Sequence, residues 1–163
     1  MARIWKFGDN VDTDQIVPGR YAPYMRPNAD LAAAAFIEAR PEFAAHAQSG
    51  DIIVAGRNFG CGSSREYAAE ALKKRGIAAI IAVSFARIFF RNAINLGLPL
   101  FEAPDLVAAV QDGELATLYA LTWQLQVGTT LWQLPSPPPF FRQILEAGGI
   151  VAYVQRYQRF PQG

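Results

Sequence analysis

Hydrophobic positions in the first two-thirds of the chain predict strands that alternate with helices. The predicted strands cover residues 2–7, 51–55, 77–83 and 98–102. Helical patterning covers residues 30–37, where Asp30 is placed to cap the helix, and also residues 41–46, 64–75 and 84–96. From the second strand onward the order is strand–helix–strand–helix–strand, which is typical of an α/β unit with a partly parallel sheet.

The last third of the chain predicts a different arrangement. After a helix at residues 105–112, alternation over residues 114–134 predicts two or three short strands, with Gly128 at a turn and Trp123 and Trp132 in the core. A proline run then leads into predicted helices at residues 140–147 and 150–157. Since neither a repeat nor a long linker divides the sequence, we expect one domain over residues 1–163.

Composition narrows the function classes. Hydrophobic residues make up 52% of the 163 positions, which excludes an acidic disordered chain. Fifteen Lys and Arg against fourteen Asp and Glu leave no basic excess, so we expect no nucleic-acid partner. The longest apolar run, residues 77–83, is far short of the roughly 20 residues that span a bilayer. We therefore expect a soluble cytoplasmic protein that does not contact a membrane.

The chain has one cysteine, Cys61, and one histidine, His46. A single thiol cannot by itself hold a zinc ion or an iron–sulfur cluster, so we expect no metal site in this chain. Cys61 is interpreted as a small residue in a tight turn, and His46 as a surface or helix-capping residue.

The most informative segment reads Gly56-Arg-Asn-Phe-Gly-Cys-Gly-Ser-Ser-Arg-Glu66, between a predicted strand and a helix. It matches neither a dinucleotide fingerprint, nor a Walker sequence, nor a nucleophile elbow. One interpretation is structural: Ser63 and Glu66 have the spacing of a capping box. The other is functional: Ser63, Ser64 and Arg65 at a helix N-terminus favour a carboxylate or phosphate ligand. The residues alone leave both open.

A second loop precedes it and reads Asp12-Thr-Asp-Gln-Ile16. From the residues alone, Asp12 and Asp14 are expected to cap turns. The three prolines of residues 18–27 exclude a regular helix in the segment that follows. Later in the chain, Arg87 and Arg91 lie four positions apart on one predicted helix, either as a solvated stripe or as contacts to a partner.

Together these two loops resemble the small subunit of 3-isopropylmalate dehydratase and the swivel domain of aconitase and homoaconitase. The segment Ser84-Phe-Ala-Arg-Ile-Phe-Phe-Arg-Asn-Ala-Ile-Asn-Leu-Gly97 and the tail ending in Arg159-Phe-Pro161 also match, so the resemblance spans essentially the whole chain. It implies an aconitase-like swivelling β/β/α domain, with a partly parallel central sheet flanked by helices, that closes over an active site on a separate large subunit.

The resemblance also implies an activity. Such enzymes isomerise 2-isopropylmalate and 3-isopropylmalate in leucine biosynthesis by dehydration and rehydration. A [4Fe–4S] cluster on the large subunit, and not on this chain, acts as a Lewis acid on the departing hydroxyl. Small subunits of homoaconitase, in lysine biosynthesis, and of methylmalate or citramalate dehydratases are the alternatives within the family. A stand-alone anion-binding module and a structural interaction domain are the alternatives outside it.

Carried over to this sequence, the resemblance gives each motif residue a role. Ser63 is the catalytic base, Ser64 and Arg65 bind a substrate carboxylate, and Asp14 forms hydrogen bonds near the leaving hydroxyl. The turn that supports them consists of Gly60, Cys61 and Gly62.

The loop at residues 18–27 falls where the family recognises the variable substituent of the substrate. Tyr21 and its apolar neighbours suit an isopropyl group, whereas Arg20 or Arg26 suits the further carboxylate of homoaconitate.

Overall fold

The computed structural model describes residues 1–25, 30–62 and 66–161, so Arg26 and the Ser63, Ser64 and Arg65 positions lie outside the described residues. The strands are β1 (Ala2–Lys6), β2 (Ile52–Ala55), β3 (Ala79–Ala82), β4 (Leu100–Glu102), β5 (Leu115–Tyr119), β6 (Gln124–Val127) and β7 (Thr130–Gln133). The helices are α1 (Thr13–Ile16), α2 (Leu31–Ala34), α3 (Pro41–His46), α4 (Glu66–Arg75), α5 (Arg87–Asn95), α6 (Pro104–Ala109), α7 (Pro139–Ala147) and α8 (Ile150–Tyr157).

Within these described ranges seven strands form one sheet in the order β4-β3-β2-β1-β5-β6-β7. The pairs among β1, β2, β3 and β4 are parallel, with Ile53 opposite Trp5 on one side and Ile80 on the other. The pairs from β1 through β5 and β6 to β7 are antiparallel. The predicted α/β class with a partly parallel sheet is confirmed, and β1 is the strand that joins the two halves.

Both faces of the parallel half are covered, which explains why its strands are continuously apolar. Ile53 and Ile80 face a core shared with α2, α3, α4 and α5. Their neighbours Ile52 and Ile81 face a second core that includes Leu106 of α6 and residues of β5 and β6. Because side chains alternate along a strand, each short apolar run contributes to both cores.

The helix predicted at residues 30–37 is shorter in the structure. Asp30 does cap it, accepting hydrogen bonds from the N–H groups of Ala32 at 3.0 Å and Ala33 at 3.3 Å. The α-helix nevertheless ends at Ala34, and Phe36 takes a left-handed backbone conformation with φ +55°. That conformation places the Phe36 ring 4.4 Å from Phe7 and fully out of solvent, so core packing overrides the local helical pattern.

Two helix boundaries and the burial of two tryptophans also differ from the sequence prediction. Helix α5 begins at Arg87 because Phe85 instead pairs with Phe59 in an isolated parallel bridge. Helix α6 ends at Ala109 because Val110 turns to an extended conformation and is buried. Trp123 and Trp132 are half-buried and pack against the second core from its rim.

Two polar contacts link distant parts of the chain, one of them buried and the other at the surface. Asp51, 6% exposed, accepts hydrogen bonds from Trp5 Nε1 at 2.9 Å and from the Arg3 N–H at 3.1 Å. Arg40 donates to Asp112 at 2.7 Å, and both side chains also bind the backbone of Lys6 at the end of β1. Among the helices described, none is long and apolar enough to cross a membrane.

Candidate functional site

The loops that follow β1, β2 and β3 meet at the carboxyl edge of the parallel strands. This is the edge where open α/β sheets bind their ligands. The first two loops run side by side: the Asn10 N–H donates to the Arg57 carbonyl at 2.8 Å, and the Gly60 N–H to the Val11 carbonyl at 2.7 Å. The two motifs that stand far apart in sequence are therefore parts of one structure.

Asp12 and Cys61 are the point at which the two motifs join. These two residues form an isolated parallel bridge, and the Thr13 N–H donates to the Cys61 carbonyl at 2.9 Å. The Asp12 carboxylate accepts from the Gln15 N–H at 2.7 Å, while the Gln15 side chain accepts from the Asp12 N–H at 3.0 Å. This reciprocal pair is a capping box, so the predicted turn-capping role of Asp12 is confirmed.

Gly60 and Gly62 are required by the conformation of the turn. Both have left-handed φ angles, +85° and +101°. A Cβ on Gly60 would overlap the ring of Phe89, which packs from α5 directly against the turn. A Cβ on Gly62 would lie 3.3 Å from Thr13 Oγ1, so the turn is packed closely against α1. The predicted supporting turn is thus held by helices on two sides.

Ser63, Ser64 and Arg65 occupy the three positions between Gly62 and Glu66, the first described residue of α4. The predicted capping box between Ser63 and Glu66 lies outside the described residues. Glu66 itself is exposed in the first turn of α4, where its negative charge interacts favourably with the positive end of the helix dipole.

The other predicted site residues surround α1. Asp14 is an exposed residue of α1 and follows Thr13, whose N–H is bound to the glycine-rich turn. Tyr21 is half-buried at the end of a 3-10 turn, Gly19–Tyr21, that comes just after α1. Arg20 in the same turn pairs with Glu38 at 2.6 Å, and its guanidinium lies 5.2 Å from the centre of the Tyr21 ring.

The remaining apolar residues of this loop differ in exposure. Ala22 is fully buried, whereas the side chains of Tyr24 and Met25 are 67% and 61% exposed. Tyr24 and Met25 therefore present apolar surface beside the site, and Arg26, the next residue, lies outside the described residues.

Cys61 is half-buried in the turn, and His46 is exposed at the end of α3, as expected for a surface residue. Over the described ranges, no three His, Cys, Asp or Glu side chains are grouped as metal ligands. The side chains present on this chain do not fit an iron–sulfur cluster, since Cys61 is its single thiol.

Sequence reasoning missed two asparagines and a serine that connect the loops. Asn10 and Asn58 both have left-handed φ angles, +56° and +57°, and their side chains are joined by a 3.3 Å hydrogen bond. Ser84 Oγ, from the loop after β3, accepts from the Asn58 N–H at 2.9 Å. The available signal was asparagine, the residue that tolerates this conformation best after glycine, in two turn-rich loops.

Comparison with known proteins gives a consistent result. Residues 7–104 match the family described as Aconitase C-terminal domain. The chain is 50% identical over 161 residues to 3-isopropylmalate dehydratase small subunit 1 of Deinococcus radiodurans, covering 99% of this chain and 90% of that protein. It is 48% identical over 161 residues to the homoaconitase small subunit of Thermus thermophilus, covering 99% of each.

A solved structure agrees with these sequence relatives. The crystal structure of 3-isopropylmalate dehydratase from Methanocaldococcus jannaschii superposes with a TM-score of 0.85 at 41% identity, covering 96% of this chain and 93% of that one. The predicted resemblance is confirmed. The match over residues 7–104, the relatives that cover nearly the whole chain and the agreement in fold show that this chain belongs to the aconitase C-terminal domain family, with relatives named 3-isopropylmalate dehydratase small subunit.

Proposed function

We propose that this chain is the small subunit of a hydro-lyase that isomerises 2-isopropylmalate and 3-isopropylmalate in leucine biosynthesis, in the cytoplasm. The observation that carries this is the junction of Asp12 with Cys61, which brings the two motifs together. It occurs in a chain 50% identical, over 99% of its length, to a protein named as such a subunit.

In this proposal Ser63 is the base. As an alkoxide it takes the proton from the carbon next to the hydroxyl-bearing carbon and becomes a neutral hydroxyl. The hydroxyl of the neighbouring carbon leaves as water after it receives a second proton from an acidic group of the complete active site. Water then adds back to the double bond in the opposite sense, so the hydroxyl ends on the carbon that lost the proton, and this completes the isomerisation. A serine alkoxide needs nearby positive potential, which the N-terminus of α4 and the Arg65 guanidinium would supply.

Three further residues position the substrate. Ser64 and Arg65 bind a carboxylate, the arginine through two parallel hydrogen bonds. Asp14 forms hydrogen bonds near the leaving hydroxyl. The fold supports this assignment, since the Thr13 N–H adjoining Asp14 is bound to the Cys61 carbonyl at 2.9 Å, two residues before Ser63.

The loop after α1 would recognise the variable substituent. Glu38 already neutralises Arg20, so an additional substrate carboxylate would have to displace that ion pair. The exposed Tyr24 and Met25, with Tyr21, offer apolar surface to an isopropyl group. Arg26 is the residue that would bind the extra carboxylate of homoaconitate, and the Thermus relative makes homoaconitase the alternative to test. A citramalate dehydratase is the third option, since a relative at 47% identity is named isopropylmalate/citramalate isomerase small subunit.

The proposal requires a second chain. The relatives are named small subunits, and the single thiol here cannot hold a [4Fe–4S] cluster. We therefore assign the cluster to a large subunit, which would form a hetero-oligomer with this chain and complete the active site.

Reconstitution tests the proposal. The chain would be mixed with a cluster-loaded large subunit and assayed on isopropylmalate, citramalate and homoaconitate side by side. We expect no turnover by this chain alone, and the highest kcat/KM of the complex on isopropylmalate. A higher kcat/KM on homoaconitate would instead identify a homoaconitase subunit, and diacid or nucleotide binding by the isolated chain in calorimetry would favour the stand-alone module.

The role of Ser63 has its own test. In the complex, Ser63→Ala should lower kcat by roughly 10²-fold or more, because a positioned base contributes about that much. Thr129→Ala, which removes an exposed hydroxyl from the turn between β6 and β7, is the control and should leave kcat unchanged. Full activity of Ser63→Ala would show that Ser63 only caps α4.

A further inference from the structure

The outer surface of α5 carries two arginines one helical turn apart. Arg87 and Arg91 are both exposed, and Ile88 between them is 51% exposed, whereas Phe89 on the inner side is 3% exposed. Residues four apart share one face of a helix. Arg87, Ile88 and Arg91 are called the arginine face of α5 below.

This arrangement of charges destabilises α5. Arg87 is in the first turn, where a cation is repelled by the positive end of the helix dipole, and the first turn contains no acidic residue. Arg87 and Arg91 also repel each other as like charges four positions apart. By contrast, α1, α3, α4 and α6 each carry an Asp or Glu in the first turn. No acidic residue on α5 itself neutralises the charge of the two arginines.

Three other cations of the chain form ion pairs. Arg20 pairs with Glu38, Arg40 with Asp112, and Lys74 with Glu70. Neither Arg87 nor Arg91 has an acidic partner or a hydrogen bond among the described residues, and the whole chain carries a net charge of only +1. The two arginines therefore carry charges that no ion pair of the described residues neutralises, on a chain that is not generally basic.

The arginine face borders the candidate site. Gly60 of the glycine-rich turn packs against the Phe89 ring, and Phe59 pairs with Phe85 just before α5 begins. Arg57, in the same loop as Gly60, adds another exposed cation at this edge. Arg87 also lines an open groove of about 440 Å³ together with Phe90 and Glu102, and it forms no ion pair with Glu102. Apolar surface surrounded by charged residues is the usual composition of a protein interface.

We propose that the arginine face of α5 docks onto an acidic surface of the large subunit. This inference rests on the proposed function, which requires such a subunit. Carboxylates on the partner would bind Arg87 and Arg91 and remove the repulsion that α5 carries in the free chain, while Ile88 would be buried between the pairs. Complementary charge would also speed the association of the two chains and make it sensitive to salt.

Charge reversal tests the proposal in the reconstituted complex. Arg87→Glu and the double variant Arg87→Glu/Arg91→Glu would be titrated against the large subunit at low and at high salt. The control is Arg142→Glu, an exposed arginine that lies beside Ala78 and Pro99, the residues just before β3 and β4, at the opposite edge of the sheet. All three change the charge of exposed arginines, but only the first two change the arginine face.

We expect Arg87→Glu to raise the Kd by roughly tenfold or more at low salt, with a smaller loss at high salt. Its Tm should stay equal to that of the unaltered chain or rise, because an acidic residue in the first turn favours the helix dipole. Saturating amounts of the variant should restore the kcat of the complex, since the arginine face acts in docking. Arg142→Glu should leave the Kd unchanged.

The outcomes separate the two proposals. If the unaltered chain binds and supports turnover but Arg87→Glu and the double variant bind equally well, the docking surface is wrong and the proposed function stands. If Arg142→Glu weakens binding as much as Arg87→Glu, the effect is one of net charge and the docking surface is again wrong. If the unaltered chain neither binds nor supports turnover, the proposed function fails, and the docking surface fails with it.

Discussion

The contact between Gly60 and Phe89 offers the sharpest test of how the glycine-rich turn is built. Gly60→Ala places a methyl group where φ is +85° and where the Phe89 ring already lies. An L-residue in the left-handed region costs about 1–2 kcal/mol. Overpacking against a buried ring adds about 1–3 kcal/mol. The free energy of unfolding should therefore fall by about 2–5 kcal/mol.

Gly113→Ala is a matched control. Gly113 has φ +86°, almost the same as Gly60, but no atom lies within 4 Å of the position of its Cβ. The backbone cost and the loss of flexibility in the unfolded chain are then the same for both substitutions. Gly113→Ala should lower the free energy of unfolding by only about 1–2 kcal/mol, so the difference between the two variants measures the overlap with Phe89.

Urea unfolding followed by circular dichroism gives both free energies, with unchanged m-values as the check that the unfolded states are comparable. A double-mutant cycle with Phe89→Leu isolates the contact, since the smaller side chain should recover about 1 kcal/mol or more of the Gly60→Ala loss. Equal destabilisation by Gly60→Ala and Gly113→Ala, with no coupling to residue 89, would refute the packing of α5 against the turn.

Two polar contacts give the remaining predictions. Burial raises the pKa of Asp112. Hydrogen bonds from Arg40 and from the Lys6 N–H, together with the positive charge of Arg40, lower it by more, so the pKa lies below its ordinary value of 3.8. The contribution of this carboxylate to stability is therefore present above about pH 4 and is lost as the pH falls through the lowered pKa. Asp112→Asn should lower the free energy of unfolding by up to about 1 kcal/mol at pH 7, with the difference from the unaltered chain shrinking in acid; a difference that is the same at pH 3 would contradict this. Asp51→Ala should lower the free energy of unfolding, measured in urea, by about 2–4 kcal/mol, because it leaves the buried Trp5 indole N–H without an acceptor. Asp51→Asn keeps an acceptor and should lower it by less. Equal losses in the two variants would show that this hydrogen bond does not contribute to stability.

The sequence alone determined most of the local elements and the family. Asp30 caps its helix as predicted, because a cap is a contact between residues two or three positions apart. The three strands before and after Gly128 also lie where alternation places them. The glycine-rich segment identified the family by its residues, since glycines in left-handed turns cannot be replaced without strain.

Only the tertiary structure decided which of these segments meet. Phe36 leaves its helical pattern to reach Phe7, and Phe85 leaves its own to pair with Phe59. The sequence does not show a partner for Arg20, whereas in the fold it forms an ion pair with Glu38. Each outcome depends on contacts between residues far apart along the chain, whose free energy exceeds the small differences in local propensity. Periodicity indicates which face of a segment is buried but does not identify the segment that packs against it. The junction of Asp12 with Cys61 therefore emerges only from the tertiary structure.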